Sequence, residues 1–504
     1  MSEDVYMEDR PETPRPGPRP AGAPALAVDL VGALVRVDVL HESAFALASR
    51  DGIGAGSQLL SILARRRLDR ASVKADLAER ILPDPRRLPY RQEVLERLRA
   101  ARAEGRRTVL ATGSDARVAQ AVADHLGLFD EVHGSTPERN LDGAAKAELL
   151  AERFGVGGFD YIGDSRADRP VWARARRALT AGARSGLARA LDAEARASGR
   201  PTPEHMETRP AGLSALRPLL RAMRPHQWAK NALVLVPMLS VHSLTWASAS
   251  ASFGAFAAFC LAASAAYMIN DLLDLEADRA HPRKRFRPFA SGEAPALTGA
   301  VAAAGLLAGG LGIAAAVNPL TFGIAAFYFG ATVLYSLVLK RELIIDICTL
   351  AGLYTLRLLG GAAALNLYLS PWMLALSVFL FLSLGAMKRQ TELVDAASRG
   401  IEPAGRAYRP EDLPVVTMMA IASGYVSVLV LALYIYSPVV QQLYESPLIL
   451  WGAPPILLYW LSRMAMLSHR GLMDDDPVFF ALRDPMSWFC GSAILLVATA
   501  AAWI

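Results

Sequence analysis

Cysteine is scarce in this chain: three residues in 504, Cys260, Cys348 and Cys490, all in apolar stretches. That excludes a disulfide scaffold and leaves the three as buried thiols. Charge is scarce too, with 20% of residues Asp, Glu, Lys or Arg, where soluble domains carry roughly a quarter. The net charge of +5 is too small a surplus to point to nucleic acid, so no nucleic-acid partner is expected. Lysine is rarest of the common charges, six of the 53 basic residues. No h-region of the signal-peptide kind follows the Pro-rich, charged stretch 1–23, which reads as a disordered tail and not as a signal peptide. What is abundant is apolar residues, 53% of the total, and they are unevenly placed. Residues 1–230 are rich in Arg, Asp and Glu, while 231–504 contain several uncharged runs longer than 18 residues. A purely soluble enzyme and a disordered chain are both excluded.

The polar half alternates short apolar runs with helical stretches. ALAVDLVGALV (25–35), RTVLATG (107–113) and FDYIGDS (159–165) read as buried strands, with a charged helix over 91–104 between the first two. Strands alternating with helices indicate a parallel α/β sheet. Residues 42–88 read as a small helical cap inserted after the first strand. The domain is expected over 24–200, followed by a Pro/Glu/Arg-rich linker over 201–212 and a membrane domain over 213–504.

In that second half, apolar spans are expected at 231–247, 250–270, 297–316, 319–339, 343–363, 369–387, 414–436, 446–463 and 487–504, nine in all. Each is about long enough to cross roughly 30 Å of hydrocarbon as a helix. Lys and Arg collect in the even-numbered loops and are absent from the odd ones. The positive-inside rule then places the even loops and the N-terminal domain in the cytoplasm, in a multi-pass protein of the inner membrane. LSALRPLLRAMRPHQWAK (213–230), with an apolar face, basic residues and a Trp, reads as an interfacial helix.

The second expected span ends in NDLLDLEADRAHPRKRFRP (270–288). On a helix, Asp271, Asp274 and Asp278 share one face, with Asn270 beside them. Carboxylates so close repel unless a cation sits between them, and hard oxygen ligands suit Mg2+ held partly through phosphate oxygens. His281, Lys284 and Arg287 add positive charge on the same side. An acidic, solvated helix end before an ordinary basic loop is the plainer alternative. The next even loop repeats the theme in YSLVLKRELIID (335–346), with Tyr335, Lys340 and Asp346, and the one after it carries MKRQTEL (387–393), with Lys388 and Arg389. Four of the six lysines, Lys230, Lys284, Lys340 and Lys388, lie at the expected cytoplasmic ends of spans. Arg357, deep in a span, needs an anion, a cavity or backbone carbonyls; it is either a functional residue or a structural one capped by carbonyls.

These motifs resemble the UbiA-type intramembrane prenyltransferase superfamily, and most closely its decaprenyl-phosphate phosphoribosyltransferase branch. RPHQWAKN (224–231), NDLLDLEADRAHPRKRFRP, YSLVLKRELIIDI (335–347), LRLLGGAAA (356–364) and KRQTEL (388–393) carry the resemblance over about 215–504. It implies an all-α nine-helix bundle in the bilayer. It also implies Mg2+ at Asp271, Asp274 and Asp278, phosphoribosyl diphosphate as donor and a polyprenyl phosphate as acceptor. Lys230, Asn270, His281, Lys284, Arg287, Tyr335, Lys340, Arg357, Lys388 and Arg389 would bind substrate, and Asp346 would orient the sugar or the metal shell. The superfamily's wider chemistry, transfer of a prenyl group from its diphosphate to an aromatic acceptor, is the alternative activity. A lipid-binding or transport module is the non-enzymatic one. Nothing in the sequence opposes a homo-oligomer.

VDLVGAL (28–34), LATGS (110–114), Lys146 and YIGDSRAD (161–168) resemble the haloacid dehalogenase superfamily over about 24–200. Asp29 matches its nucleophile, Ser114 (or Thr112) and Lys146 its phosphate ligands, and Asp164 and Asp168, with Asp29, its Mg2+ ligands. One departure stands out: the general acid/base normally found two residues after the nucleophile is Val31 here, and the Thr that usually follows is Ala33. The resemblance therefore implies either a phosphatase, acting on the 5-phosphoribosyl lipid made next door, or a degenerate scaffold.

Overall fold

The computed structural model describes residues 23–51, 70–209, 212–240, 245–399, 407–473 and 476–503. The expected N-terminal tail up to residue 22 and part of the cap lie outside them. The chain forms two compact units: one takes the polar half through Met223 together with Met268–Val301, and the other takes Arg224–Tyr267 and Ala302–Ile504.

In the first unit, six parallel strands make one sheet. β1 (Ala25–Val28) is followed by the cap helices α1 (Val39–Asp51) and α2 (Arg70–Arg80), then α3 (Gln92–Ala103). Next come β2 (Thr108–Asp115), α4 (Ala116–Leu126), β3 (Glu131–Ser135), α5 (Ala144–Phe154), β4 (Phe159–Gly163), α6 (Arg169–Arg174), β5 (Arg177–Ala181), α7 (Ser185–Ala197) and β6 (Glu204–Met206). The order β3-β2-β1-β4-β5-β6 puts β1 inside the sheet, so all four of its residues are buried. Chain order reverses beside β1, and the carboxyl ends of β1 and β4 flank the crevice where open α/β sheets bind ligands.

Three differences from the sequence reading have physical causes. The first strand stops at Val28 instead of running to Val35, because Gly32 turns the chain at φ +79° and folds Leu34 and Val35 back onto the carbonyls of Asp29 and Leu30. Leu30, Ala33, Leu34 and Val35 are fully buried outside any named strand, so apolarity alone mimicked a strand. The stretch expected as a linker carries β6, which pairs with Leu179, Thr180 and Ala181 and extends the sheet. The expected interfacial helix over 213–230 is broken: α8 covers only Arg217–Ala222, and a 3-10 run takes over from Pro225 to Leu235. Pro225 lacks the N–H that would continue the helix, and Arg224 before it turns left-handed at φ 53°. The Trp228 indole donates to Ser264 Oγ at 2.9 Å.

Seven helices among the described residues are long and apolar enough to cross a membrane, and the nine-span count is not reached. α18 (Ala453–His469) stands where one span was expected and is shorter, while the expected span 231–247 lies partly outside the described residues, which there form the end of a 3-10 run and α9 (Val236–Ser240). The seven are α10 (Trp246–Leu273), α12 (Ala296–Val317), α13 (Pro319–Leu337), α14 (Ile345–Ala364), α15 (Pro371–Arg399), α16 (Leu413–Ile435) and α20 (Pro485–Trp503). Short helices α11 (Leu275–Ala280), α17 (Pro438–Leu443) and α19 (Pro477–Arg483) complete the set. α15 runs well past its expected end, so Lys388 and Arg389 lie on a helix and not in a loop.

Helix packing in the second unit is close because small residues line it. A Cβ on Gly361 would fall 2.0 Å from the Val234 carbonyl oxygen, and one on Gly360 2.4 Å from the Phe259 ring. α20 is the opposite case, with Trp488, Phe489, Leu495, Leu496 and Trp503 all exposed. An apolar face of that kind requires a hydrocarbon solvent.

Candidate active sites

The sheet's carboxyl edge assembles one site in the first unit. Asp29 follows β1, Thr112 and Ser114 end β2, Lys146 projects from α5, and Asp164 and Asp168 follow β4. Carboxylate atoms of Asp29, Asp164 and Asp168 lie within 4.8 Å of one another, the one such three-residue cluster among the described residues. Lys146 Nζ, fully buried, donates to Asp29 Oδ2 at 2.7 Å and to Asp168 Oδ1 at 3.3 Å. Tyr161 was not expected here. Its hydroxyl donates to Asp168 Oδ1 at 2.7 Å and accepts from Lys146 at 2.8 Å, which fixes both. Asp168 Oδ2 accepts from the backbone N–H groups of Asp164 and Ser165, each at 3.1 Å. Gly32 was also missed: a Cβ there would overlap the Asp164 carboxyl at 2.1 Å, so the turn after the nucleophile position must be bare.

Three acids and one lysine leave an excess of negative charge in a buried space. Burial pushes the Asp164 carboxyl up to about 8, and the neighbouring charges of Asp168 and Asp29 push the same way. Burial also raises Asp29, against the pull of Lys146. A divalent cation relieves such crowding, so the donor set fits Mg2+. A cavity of about 320 Å3 opens beside Asp29, walled by Val39, Leu40 and Ser43 of α1, Lys74 and Leu77 of α2, and Thr112 and Ser114. Val31 faces the same cavity.

The second acidic cluster of this unit follows α10. The helix breaks at Asp274, which caps α11, so the three acids do not form one continuous helical face. Asp271 and Asp278 are buried and share the Arg287 guanidinium, whose Nη1 donates to Asp271 Oδ1 at 3.1 Å and to Asp278 Oδ2 at 2.7 Å. Burial raises the Asp278 carboxyl to about 6; Arg287 pulls it down and Asp271 pushes it up. Arg287 stands where carboxylates facing one another require a cation. Asn270 lies in the last turn of α10 and its carbonyl accepts from Asp274 N at 2.9 Å. The His281 ring nitrogen Nδ1 accepts from Arg283 N at 3.1 Å, and Lys284 opens the 3-10 turn Lys284–Phe286.

In the second unit the expected residues fall into three groups. Asp346 and Arg389 are fully buried and form an ion pair, with Tyr335 donating to Asp346 Oδ1 at 2.7 Å and Arg389 also reaching Glu392. Lys340 lies nearby in sequence, in the turn Leu339–Arg341. Arg357 is buried with its donors engaged: Nε on Asn231 Oδ1, Nη1 on the Leu353 carbonyl and Nη2 on the Tyr328 hydroxyl, each at 2.7 Å. The rings of Tyr328 and Tyr354 cover it at 4.8 and 5.1 Å. Of the three donors, one meets a backbone carbonyl and two meet side chains of the bundle. Lys230 pairs with Asp476, an acid that sequence reading passed over. Burial alone would raise Asp476, but Lys230 and Lys388 outweigh it and hold its carboxyl below the usual range. The signal available was the N-capping Asp-Pro (476–477) ahead of FFALR; Asp476 Oδ1 accepts from Val478 N at 3.1 Å.

Comparison with known proteins fits this division. The UbiA prenyltransferase family model matches residues 233–500, over half the chain. The chain belongs to the UbiA prenyltransferase family. Ahead of that region, the haloacid dehalogenase-like hydrolase model matches residues 29–173. The UbiA-family protein is therefore an integral membrane enzyme with an N-terminal haloacid dehalogenase-like domain. A Sinorhizobium fredii protein, the uncharacterised y4nM, is 37% identical over 473 residues, 93% of this chain and 89% of that protein. Nodulation protein NoeC of Azorhizobium caulinodans is 36% identical over 282 residues, 55% of this chain and 91% of NoeC. Decaprenyl-phosphate phosphoribosyltransferase of Mycolicibacterium smegmatis is 41% identical over 192 residues, which is 36% of this chain and 59% of the relative.

Proposed function

We propose that the membrane half transfers 5-phosphoribosyl from phosphoribosyl diphosphate to a polyprenyl phosphate, with Mg2+, at the cytoplasmic face of the inner membrane. The observation that carries this reading is the 41% identity to a decaprenyl-phosphate phosphoribosyltransferase. The buried acids Asp271 and Asp278, with Asp274 beside them, supply the matching chemistry.

Pyrophosphate leaves the anomeric carbon through a transition state with oxocarbenium character. Mg2+ on the diphosphate would neutralise charge growing on that leaving group. Asp271, Asp274 and Asp278 are its ligands in this reading, and Arg287 turns from the carboxylates to phosphate, for which its fork of donors is suited. Lys284 adds charge to the same loop. Lys230 and Lys388, sharing Asp476 between them, are cations for an anionic headgroup. The acceptor phosphate is already anionic at neutral pH, so no strong general base is required. A single displacement by that oxygen forms the new C1–O bond as the C1–diphosphate bond breaks, and it inverts C1. Asp346 and Arg389 hold α14 against α15 and leave the sugar to other groups.

The N-terminal domain fits metal-assisted phosphoryl transfer with Asp29 as nucleophile and Lys146 as its electrostatic partner. Val31 offers no proton to the leaving alcohol, so hydrolysis is slow, and the 5-phosphate of the lipid product is the group it would act on.

The test is an assay of purified full-length protein with labelled phosphoribosyl diphosphate and a panel of polyprenyl phosphates, with and without chelator. Labelled lipid that forms only with magnesium supports the reading. Transfer of a prenyl group to an aromatic acceptor, with no labelled lipid, overturns it, and retained configuration at C1 overturns the single displacement. Phosphate release from the lipid product, absent in Asp29→Asn, tests the N-terminal domain.

A further inference from the structure

Within the first unit, the acidic loop after α10 is fastened to the cap of the haloacid dehalogenase-like domain. Arg279 of α11 donates through Nη1 to Glu42 Oε2 at 2.7 Å and through Nη2 to Glu42 Oε1 at 2.5 Å. The two side chains are only 7% and 6% exposed, so the pair is shielded from water and salt. The same guanidinium donates through Nε to the Ala290 carbonyl at 2.9 Å and so ties α11 to the turn after Arg287. That turn has its own contact with the domain: Gly292, at φ +75°, lies where an added Cβ would come within 2.7 Å of Arg36 Cβ and 3.0 Å of Val37. Arg279 is the neighbour of Asp278, which with Asp271 receives Arg287. The Glu42–Arg279 pair therefore holds α11 at the residue next to Asp278, and through Ala290 it holds the turn after Arg287.

A planar fork caught at both carboxylate oxygens allows little rotation. Such a contact fixes orientation better than an exposed pair, which contributes little and swings freely. Glu42 also sits on α1, whose Val39, Leu40 and Ser43 wall the cavity beside Asp29. One short helix thus serves two sites.

We propose that the N-terminal domain is a built-in brace of the transferase site, with Glu42 a positioning residue that acts through Arg279 on Asp271, Asp274 and Asp278. The inference rests on reading those acids as the magnesium–diphosphate site. It does not require the domain to hydrolyse anything, and it gives the domain a task even where Val31 has replaced the general acid.

The experiment uses the full chain in detergent or nanodiscs. Glu42→Gln keeps size and polarity and removes the charge. It raises the KM for phosphoribosyl diphosphate, and the magnesium concentration giving half activity, by about tenfold, with kcat little changed, because loss of orientation weakens ligand capture first. Hydrogen exchange over 271–290 accelerates in the same variant. Glu42→Arg combined with Arg279→Glu recovers most of the KM loss, which a protein that had merely misfolded could not do. Unchanged KM, magnesium requirement and exchange in Glu42→Gln overturn the proposal, as does a double variant no better than either single one. Should the wild type transfer no phosphoribosyl group, the functional reading fails, and hydrogen exchange over 271–290 alone then decides whether Glu42 braces the loop.

Discussion

The first unit holds two acidic clusters that differ in the cation each keeps. Beside the sheet, Lys146 puts a single point charge between Asp29 and Asp168, and the carboxylates of Asp29, Asp164 and Asp168 still converge. After α10, Arg287 spreads its fork across Asp271 and Asp278, and no comparable three-acid convergence is present there. Lysine carries a compact charge, so one ammonium leaves oxygens for a metal; a guanidinium engages several oxygens at once. The sheet site is therefore organised as it stands to take a metal, whereas the acids after α10 are organised around a side chain that would have to move aside for one. Removing an acid should accordingly do most harm after α10. Asp271→Ala and Asp274→Ala are each expected to lower phosphoribosyl transfer by at least about 1000-fold in the labelled-donor assay, as expected for lost charge stabilisation of a leaving group. Activity surviving in both would remove the metal role from this loop.

A third acid sharpens the contrast. Asp346 meets Arg389 in the second unit, both fully buried. A paired buried charge has its largest effect on folding, and removing one partner typically costs about 3–5 kcal/mol. Asp346→Ala is expected to lower thermal stability in detergent sharply, while Asp346→Ala with Arg389→Met recovers most of the loss. A single variant with wild-type stability and no activity would return Asp346 to the sugar.

What could be read in the sequence follows the same line. Asp29, Lys146, Asp164 and Asp168 were legible through the motifs that resemble haloacid dehalogenases, and a parallel sheet, which delivers strand ends to one edge, brings them together. The helical motifs at 270–288 and 388–393 were legible as charge at the ends of apolar runs, but partner choice was not. Nothing in MKRQTEL states that Arg389 turns to Asp346 while the charge of Lys388 is felt by Asp476, since this depends on how α14, α15 and α19 pack. Pro225 and Gly32 are visible as letters, and their backbone chemistry breaks runs whose apolar pattern alone suggests an unbroken helix and strand. β3 and β6 were missed because edge strands are short and half polar, as EVHGS and EHM are, and β5, inside the sheet, because RALTA is short and opens on an exposed Arg.

Val31 permits a gain-of-function test of the sheet site. Val31→Asp would add the missing proton donor at a wall of the cavity. It is expected to raise phosphate release by about 100-fold, within the usual range for general acid catalysis. No change would mark the domain as a brace alone.

The smallest expected effect separates the two clusters by pH. Asp164 is raised from its ordinary value to about 8 by burial and by its acidic neighbours. Between about pH 4 and 8 the folded chain therefore holds a proton there that the unfolded chain has released. Stability from this group is present at low pH and is lost as pH rises toward 8. Magnesium competes with that proton, so its stabilising effect grows in the same interval. The thermal midpoint of the full chain is expected to rise with magnesium by about 2–4 °C more at pH 8 than at pH 5. Asp164→Asn removes the proton and one ligand together, and should flatten the difference at the sheet site while leaving what the acids after α10 contribute. Asp278, raised only to about 6, completes its own change lower in the range. A magnesium shift that persists in Asp164→Asn and levels off above about pH 7 therefore belongs to the membrane loop, and one that vanishes belongs to the sheet.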